Sequence, residues 1–158
     1  MPCVAAWDEF EREEPEFAAR VKELFDAHVH KTIATLRRDG SPRISGIECT
    51  FAEGELWIGS MPRAVKARDL QRDPRYALHS GSDDPPDWTA DAKVGGRAEE
   101  VTDPGVWERV YGRKNDSGAH LFRLDIDEAV IAGLNEARNG MVIELWKPGE
   151  GVRVTERD

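Results

Sequence analysis

The run GSMPRAVKARDL, residues 59–70, gathers Arg63, Lys66 and Arg68 just after a stretch of small residues and Ser60. It reads as a strand-to-helix junction. A helix start presents unpaired N–H groups and a partial positive charge. Ser60 is expected to cap that start, and Arg63 and Lys66 add full charges beside it. Together these groups suit a phosphate monoester, each charge-assisted hydrogen bond contributing about 1.5–3 kcal/mol. Spacing alone is equally compatible with a solvated helix face. Arg68 and Arg72 are assigned to that face.

Other reactive side chains form weaker patterns. His28 and His30 diverge on a helix and share a face only on a strand; with no third ligand nearby they do not read as a metal site. His79 and His120 each stand at a strand end. Asp83, Asp84, Asp87 and Asp91 lack the spacing and glycine of a calcium loop and read as a solvated loop. Ser45 in RISGIE is not a nucleophile elbow, and no GxxxxGK phosphate loop occurs. Cys3 and Cys49 form no metal-like pair and read as free thiols, Cys49 as a small apolar strand residue.

The whole chain limits what such a site can serve. Its 158 residues fit one domain, 1–158, with 1–14 expected to be loosely ordered. With 22 basic and 31 acidic residues the net charge is −9, which argues against a nucleic-acid binder. It leaves room for a small anion in a local basic pocket. No apolar run approaches the length of a membrane span, and the acidic N-terminal stretch does not read as a signal peptide. A cytoplasmic protein without membrane or nucleic-acid partners is expected.

The elements that must position the junction follow from periodicity. Phe17, Val21, Leu24, Phe25 and His28 make one stripe of a helix begun by Pro15. KTIATLRR is a strand, Asp39-Gly40 a hairpin turn, RISGIECTF one return strand, and LWIGS a third strand. These three are expected to form a meander. A short helix before Pro74, the strand RYALHS, an Asp/Pro-rich loop, and AKVGGRAEEVT, whose glycines suggest a bulge or a close backbone approach, come next. Asp103 and Pro104 start a further helix. LFRLDIDEAVIAGL, NGMVIELWKPG and GVRVTER complete the strands. Many antiparallel strands with short turns and three small helices predict a mainly β chain: an antiparallel split or closed barrel with short peripheral helices.

The order of ATLRRDGSPR, GELWIGS, the serine–lysine helix start, DLQRDPRYAL, GRAEEV, LFRLDIDEA and LWKPGEGVRVTER resembles the pyridoxamine 5'-phosphate oxidase-like family of flavin-binding split barrels, over about residues 30 to 157. The resemblance implies a homodimer with two FMN sites at the subunit interface. It implies that Lys66 holds the cofactor phosphate with Ser60 beside it, and that Arg43, Ile44 and Ser45 run along the cofactor. Trp57, Ile58 and Gly59 match the adjacent strand, and Trp146 and Arg157 match residues reaching the flavin from the other subunit. Arg153 and Thr155 fall where the oxidase has an arginine and a histidine on its substrate. Threonine supplies no imidazole, so fold and cofactor carry over and the pyridoxamine phosphate oxidase reaction does not.

A flavin needs an anchor for its phosphate and an apolar wall for its ring. Lys66 and Arg63 are candidates for the first, and Trp57, Trp88 and Trp146 for the second, with core packing as the plainer role for any one tryptophan. The expected function is two-electron redox of a small organic substrate by a flavin-dependent oxidoreductase. One alternative is a deazaflavin coenzyme, which needs an open groove for its anionic tail. Another is a non-enzymatic ligand-binding dimer.

Overall fold

The computed structural model describes residues 3–158. Along the chain lie α1 (Trp7–Glu13), α2 (Pro15–Asp26), β1 (Lys31–Leu36), β2 (Pro42–Ile47), β3 (Cys49–Ala52), β4 (Glu55–Ser60), α3 (Val65–Arg72), β5 (Arg75–His79), β6 (Ala90–Glu100), α4 (Pro104–Tyr111), β7 (His120–Leu134), β8 (Met141–Lys147) and β9 (Gly151–Arg157). All the strand pairs are antiparallel. The chain is mainly β, as its alternating segments predict.

The main path of the sheet is β2-β1-β5-β6-β7-β4-β3. Its first and last strands are consecutive in the chain, with only Glu48 between them. The sheet therefore curls until its two edges are joined by one residue. This corrects the expected three-strand meander. RISGIECTF is not one strand; it bends at Glu48, so β2 pairs with β1 while β3 pairs with β4. β4 takes β7, not β2, as its other neighbour. A period-2 pattern continues unbroken through such a corner, which is why it is invisible in the sequence.

The long strand β7 makes the split. Its first part, from His120 to Leu124, pairs with β4, and its last part, from Ala129 to Leu134, pairs with β8. β9 then adds to β8 as an edge. β6 follows β7 along both parts, with a register shift between Gly95 and Gly96, where the sequence suggested a bulge. A Cβ on Gly96 would lie 1.9 Å from the Asp125 carbonyl oxygen, so the backbones meet there only because the residue is glycine.

Two clusters fill the molecule. The larger holds Phe10, Phe25, Ile33, Leu56, Leu78, Leu124 and Trp146; the smaller, under α4, holds Trp57, Trp107, Val110 and Leu121. Asp103 caps α4 as expected, its carboxylate accepting from the Gly105 N–H at 2.8 Å.

The N-terminal segment departs from expectation. Residues 3–14 are built into the core, while Met1 and Pro2 lie outside the described residues. Phe10 has no exposed surface and stacks on Trp146 at 4.2 Å, and Trp7 packs edge-on to Phe10 at 5.1 Å. Ala5 exchanges two backbone hydrogen bonds with Ile126, both 2.8 Å. The acidic residues around Trp7 and Phe10 dominate the composition, but they occupy the solvent face; the two aromatics, three apart, share the other.

Removing the Phe10 ring should therefore cost as much as any core truncation. Phe10→Ala is expected to lower unfolding free energy by about 3–5 kcal/mol in a urea titration. A loss under about 1 kcal/mol would show the N-terminal helix to be peripheral.

Candidate functional site

The junction that opened the sequence reading forms one wall of a basic groove. The facing wall is the β1–β2 hairpin. The groove, about 500 Å³, is lined by Arg37, Arg38, Arg43, Arg68 and Arg72, with Asp39, Val65 and Asp69. Its base is Asp69, 2 % exposed. The Asp69 carboxylate accepts from Thr35 Oγ1 (2.8 Å), Arg43 Nε (2.7 Å) and an Arg72 NH2 group (3.0 Å). Arg72 also donates to the Leu36 carbonyl at 2.6 Å. Burial would raise the Asp69 pKa, but the hydrogen bonds from Arg43, Thr35 and Arg72 together outweigh it and hold the carboxyl below its ordinary range. Asp69 thus stays charged and aims two guanidinium groups.

Local sequence explains this placement. Ala67 and Leu70 bury one side of α3, which turns Asp69 toward β1. On β1 the alternation buries Lys31, Ile33 and Thr35, so Thr35 meets the carboxylate. Among the described residues Arg37, Arg38 and Arg68 form no ion pair, leaving their charges for something outside the chain. Lys66, half-buried one residue beyond Val65, reaches across to β2 and donates to the Gly46 carbonyl at 3.2 Å.

A second cavity, about 380 Å³, lies under α4 against the end of β4. Trp107 and Tyr111 wall it, their rings 4.6 Å apart. Gly59, Ser60 and Met61 form its β4 side, and Glu48 and Arg113 stand at its exposed mouth. A Cβ on Gly59 would sit 2.9 Å from the Tyr111 hydroxyl oxygen, so the glycine admits the phenol against the strand. The Ser60 hydroxyl is buried with no hydrogen-bond partner. Such a group costs about 1–3 kcal/mol unless something pairs with it.

The structure sorts the expected site residues into groups. Arg43 and Lys66 flank the groove. Ile44 is 75 % exposed beside them, and Ser45 is half-buried on the same strand. Gly59 and Ser60 belong to the α4 cavity, with Ile58 buried in the core behind them. Ser60 does not cap α3. It ends β4, and α3 begins only at Val65, after a turn in which Arg63 adopts a left-handed φ of 62°. Arg63 lies outside the groove lining; its N–H donates to His120 Nε2 at 3.4 Å, and His120 Nδ1 faces Glu100 at 3.1 Å.

The three tryptophans proposed as a ring wall line neither cavity. Trp57 is in the core and donates to the Ala52 carbonyl. Trp146 has no exposed surface and donates to Glu13 at 3.3 Å, so it has no free face for a ligand. Trp88, in the loop before β6, donates to Asp91 at the start of that strand. Trp107 takes the wall position instead. Nothing in its helix periodicity separated it from a core residue. Arg68 and Arg72 likewise turn out to line the groove, because α3 packs with that side toward the hairpin.

Arg153, Thr155 and Arg157 alternate along β9, share one exposed face, and pair in register with Leu145, Ile143 and Met141. They lie apart from both cavities of their own chain. His28 faces Asp83 at 3.2 Å, and no cluster of three metal-ligating side chains occurs among the described residues. Cys3 and Cys49 are both free. Burial pushes the Cys49 thiol up to about 11, which makes it unreactive near neutral pH. Among the described residues no helix is long and apolar enough to cross a membrane.

A forked antiparallel barrel of this kind, with a cationic groove between hairpin and helix, is a split barrel. Residues 17–131 match the pyridoxamine 5'-phosphate oxidase family, well over half of the chain, and the protein belongs to that family. Solved structures share its fold. PhzG from Burkholderia lata 383, determined with tetrahydrophenazine-1-carboxylic acid, is 13% identical over 91% of this chain and 87% of that one, with a TM-score of 0.63. A pyridoxamine 5'-phosphate oxidase-related, FMN binding protein from Nostoc punctiforme PCC 73102 is 11% identical over 90% and 96%, with a TM-score of 0.62. The conserved hypothetical protein Rv2991 from Mycobacterium tuberculosis is 24% identical over 70% and 81%, with a TM-score of 0.57. No curated protein matches the chain.

Asp69 gives the groove a pH signature. Its folded pKa is lowered, so the stability it contributes is present above the unfolded value, about 3.9, and fades as pH falls through the folded one. Asp69→Asn is expected to cost about 3 kcal/mol or more at pH 7, and the gap to the parent protein should narrow steadily below about pH 4. Urea titrations across that range check it; a gap that widens with acid would contradict the charged role.

Proposed function

We propose that this protein is a flavin-dependent oxidoreductase that binds FMN and acts on a small organic molecule. The observation that carries this reading is the gathering of Arg43 and Arg68 in one groove, with Lys66 beside them at the start of α3, in a chain with net charge −9. A phosphate needs fixed cations and N–H donors. Arg43 is aimed by Asp69, Lys66 projects from the first turn of α3, and Arg68 adds a third charge. The turn's own N–H groups add donors. The ring is assigned to the surface along Ile44, Ser45 and β4, between the groove and the α4 cavity, and the substrate to that cavity. Bound there, a flavin supplies two-electron chemistry. The chain's own residues bind, orient and limit access.

A homodimer is part of the proposal. Ile44, Met61 and Val65 are 75%, 76% and 53% exposed; Val65 lines the groove, Met61 lines the cavity, and Ile44 stands next to the groove residue Arg43 on β2. A second copy covering them would complete the site, and the exposed face of its β9 would offer Arg153, Thr155 and Arg157 to it. The FMN-binding description of the Nostoc structure is consistent with the same cofactor here. One observation favours a deazaflavin coenzyme as the second reading. Arg37, Arg38 and Arg68 put more positive charge along an open groove than one phosphate uses, which suits an anionic chain.

Titrating the apo protein with FMN and with the deazaflavin coenzyme separates the readings. FMN should bind with a perturbed visible spectrum, and Lys66→Ala should weaken it about 10- to 150-fold. Arg37→Ala with Arg38→Ala should leave FMN affinity nearly unchanged and weaken the deazaflavin coenzyme if that is the ligand. Sedimentation should give a dimer. A protein that stays colourless with either cofactor would be the non-enzymatic ligand-binding dimer.

A further inference from the structure

The turn that joins β4 to α3 has little packing to hold it. Met61, Pro62 and Arg63 are exposed, and Ala64 gives α3 no side-chain cap. Arg63 takes a left-handed φ of 62°, which brings its Cβ too close to the following carbonyl oxygen. Such a backbone persists where its surroundings impose it. Apart from the turn's own bond from the Ala64 N–H to the Met61 carbonyl and those of α3, one hydrogen bond reaches it among the described residues: the Arg63 N–H donates to His120 Nε2 at 3.4 Å. Register places His120 there, because it opens β7 opposite Ser60, the last residue of β4. Since Nε2 accepts from Arg63, the ring's proton is on Nδ1, which donates to Glu100 Oε1 at 3.1 Å. Glu100 ends β6, and its other oxygen accepts from Gln71 Nε2, in the last turn of α3, at 2.7 Å. Asp69 ties α3 to β1 and β2; this second carboxylate, with His120, ties the helix and the turn before it to β6 and β7.

We infer that His120, oriented by Glu100, is a positioning residue for anion binding: it fixes the β4–α3 turn in the conformation that presents the start of α3, with Lys66, to a phosphate. The inference rests on the assignment of the cofactor phosphate to that turn made above. The N–H groups of the first turn of α3 have no partner within the helix. Where they point is set by the turn, and the turn by His120. The ring itself is not among the groove's lining residues, so it acts through the backbone. A histidine that merely filled space would be replaceable by any ring of like size; here the acceptor nitrogen is what matters.

Hydrogen exchange in the flavin-free protein, followed by NMR at the amides of residues 63–66, reads the turn without any cofactor. His120→Phe keeps a ring and removes both nitrogens; exchange should quicken about three- to tenfold, the loss of one hydrogen bond. His120→Gln keeps an acceptor of similar reach and should stay within about twofold of the parent protein. FMN titration of the same proteins should follow the same order, with affinity lowered about three- to tenfold in His120→Phe and within about twofold in His120→Gln. Glu100→Ala leaves the ring but frees it to turn. It should move both readouts in the His120→Phe direction, and it carries the test if the phenylalanine variant does not fold. Unchanged exchange in both His120→Phe and Glu100→Ala would overturn the inference. So would a glutamine variant as impaired as the phenylalanine one, or a loosened turn with FMN affinity unchanged. FMN binding to none of these proteins overturns the flavin reading alone; inorganic phosphate then takes its place as the probe, and the same order of affinity and exchange decides the role of His120.

Discussion

One buried carboxylate holds the basic groove together. Asp69 joins β1 through Thr35, β2 through Arg43 and the end of α3 through Arg72. Desolvating a charge is expensive, and three hydrogen-bond donors, two of them cationic, compensate it here. The consequence reaches the surface. The same bonds fix the directions of two guanidinium groups and set the spacing between hairpin and helix. The groove's remaining arginines can then face outward, repelling one another, because the scaffold beneath them is already tied.

The barrel supplies the second constraint. Because the sheet closes through the single residue Glu48, the start of β3, the end of β4 and the β4–α3 turn converge on one end of the molecule. α4 covers that end by burying Trp107 and Val110 against Trp57 and Leu121. The cavity is what the helix leaves uncovered. On the opposite side α1 and α2 hold the β8–β9 hairpin. Glu13 accepts from Trp146 Nε1 and the Gly149 N–H, and Arg20 makes two hydrogen bonds to Glu144 at 2.8 and 2.7 Å. The edge strand is thereby braced with its outer face free.

Much of this architecture was legible. The Asp39-Gly40 turn, the Gly95-Gly96 bulge and the Asp103–Pro104 helix start are local signals, each with a local physical cause, and each stands where it was read. The family resemblance was carried by the order of such signals. The site was legible only in part. Lys66 and Arg43 stand beside the groove, whereas Ser60, read as a helix cap, ends a strand four residues before the cap position. Trp146, read as a ring contact, is sealed under Phe10. Arg68 and Arg72 were assigned to the solvent face, and Trp107 was not distinguished from core.

By itself the sequence determined the class of elements, most turn positions and the concentration of cations after β4, because these depend on residues close together in the chain. The tertiary structure alone decided which cations face a common groove, which tryptophan is free to meet a ligand, and that a strand of alternating residues bends into two at Glu48. Those outcomes depend on partners many residues distant: Thr35 on Asp69, Phe10 on Trp146, Tyr111 on Gly59. A residue's type limits what it can do, and the neighbours brought by folding choose among those possibilities.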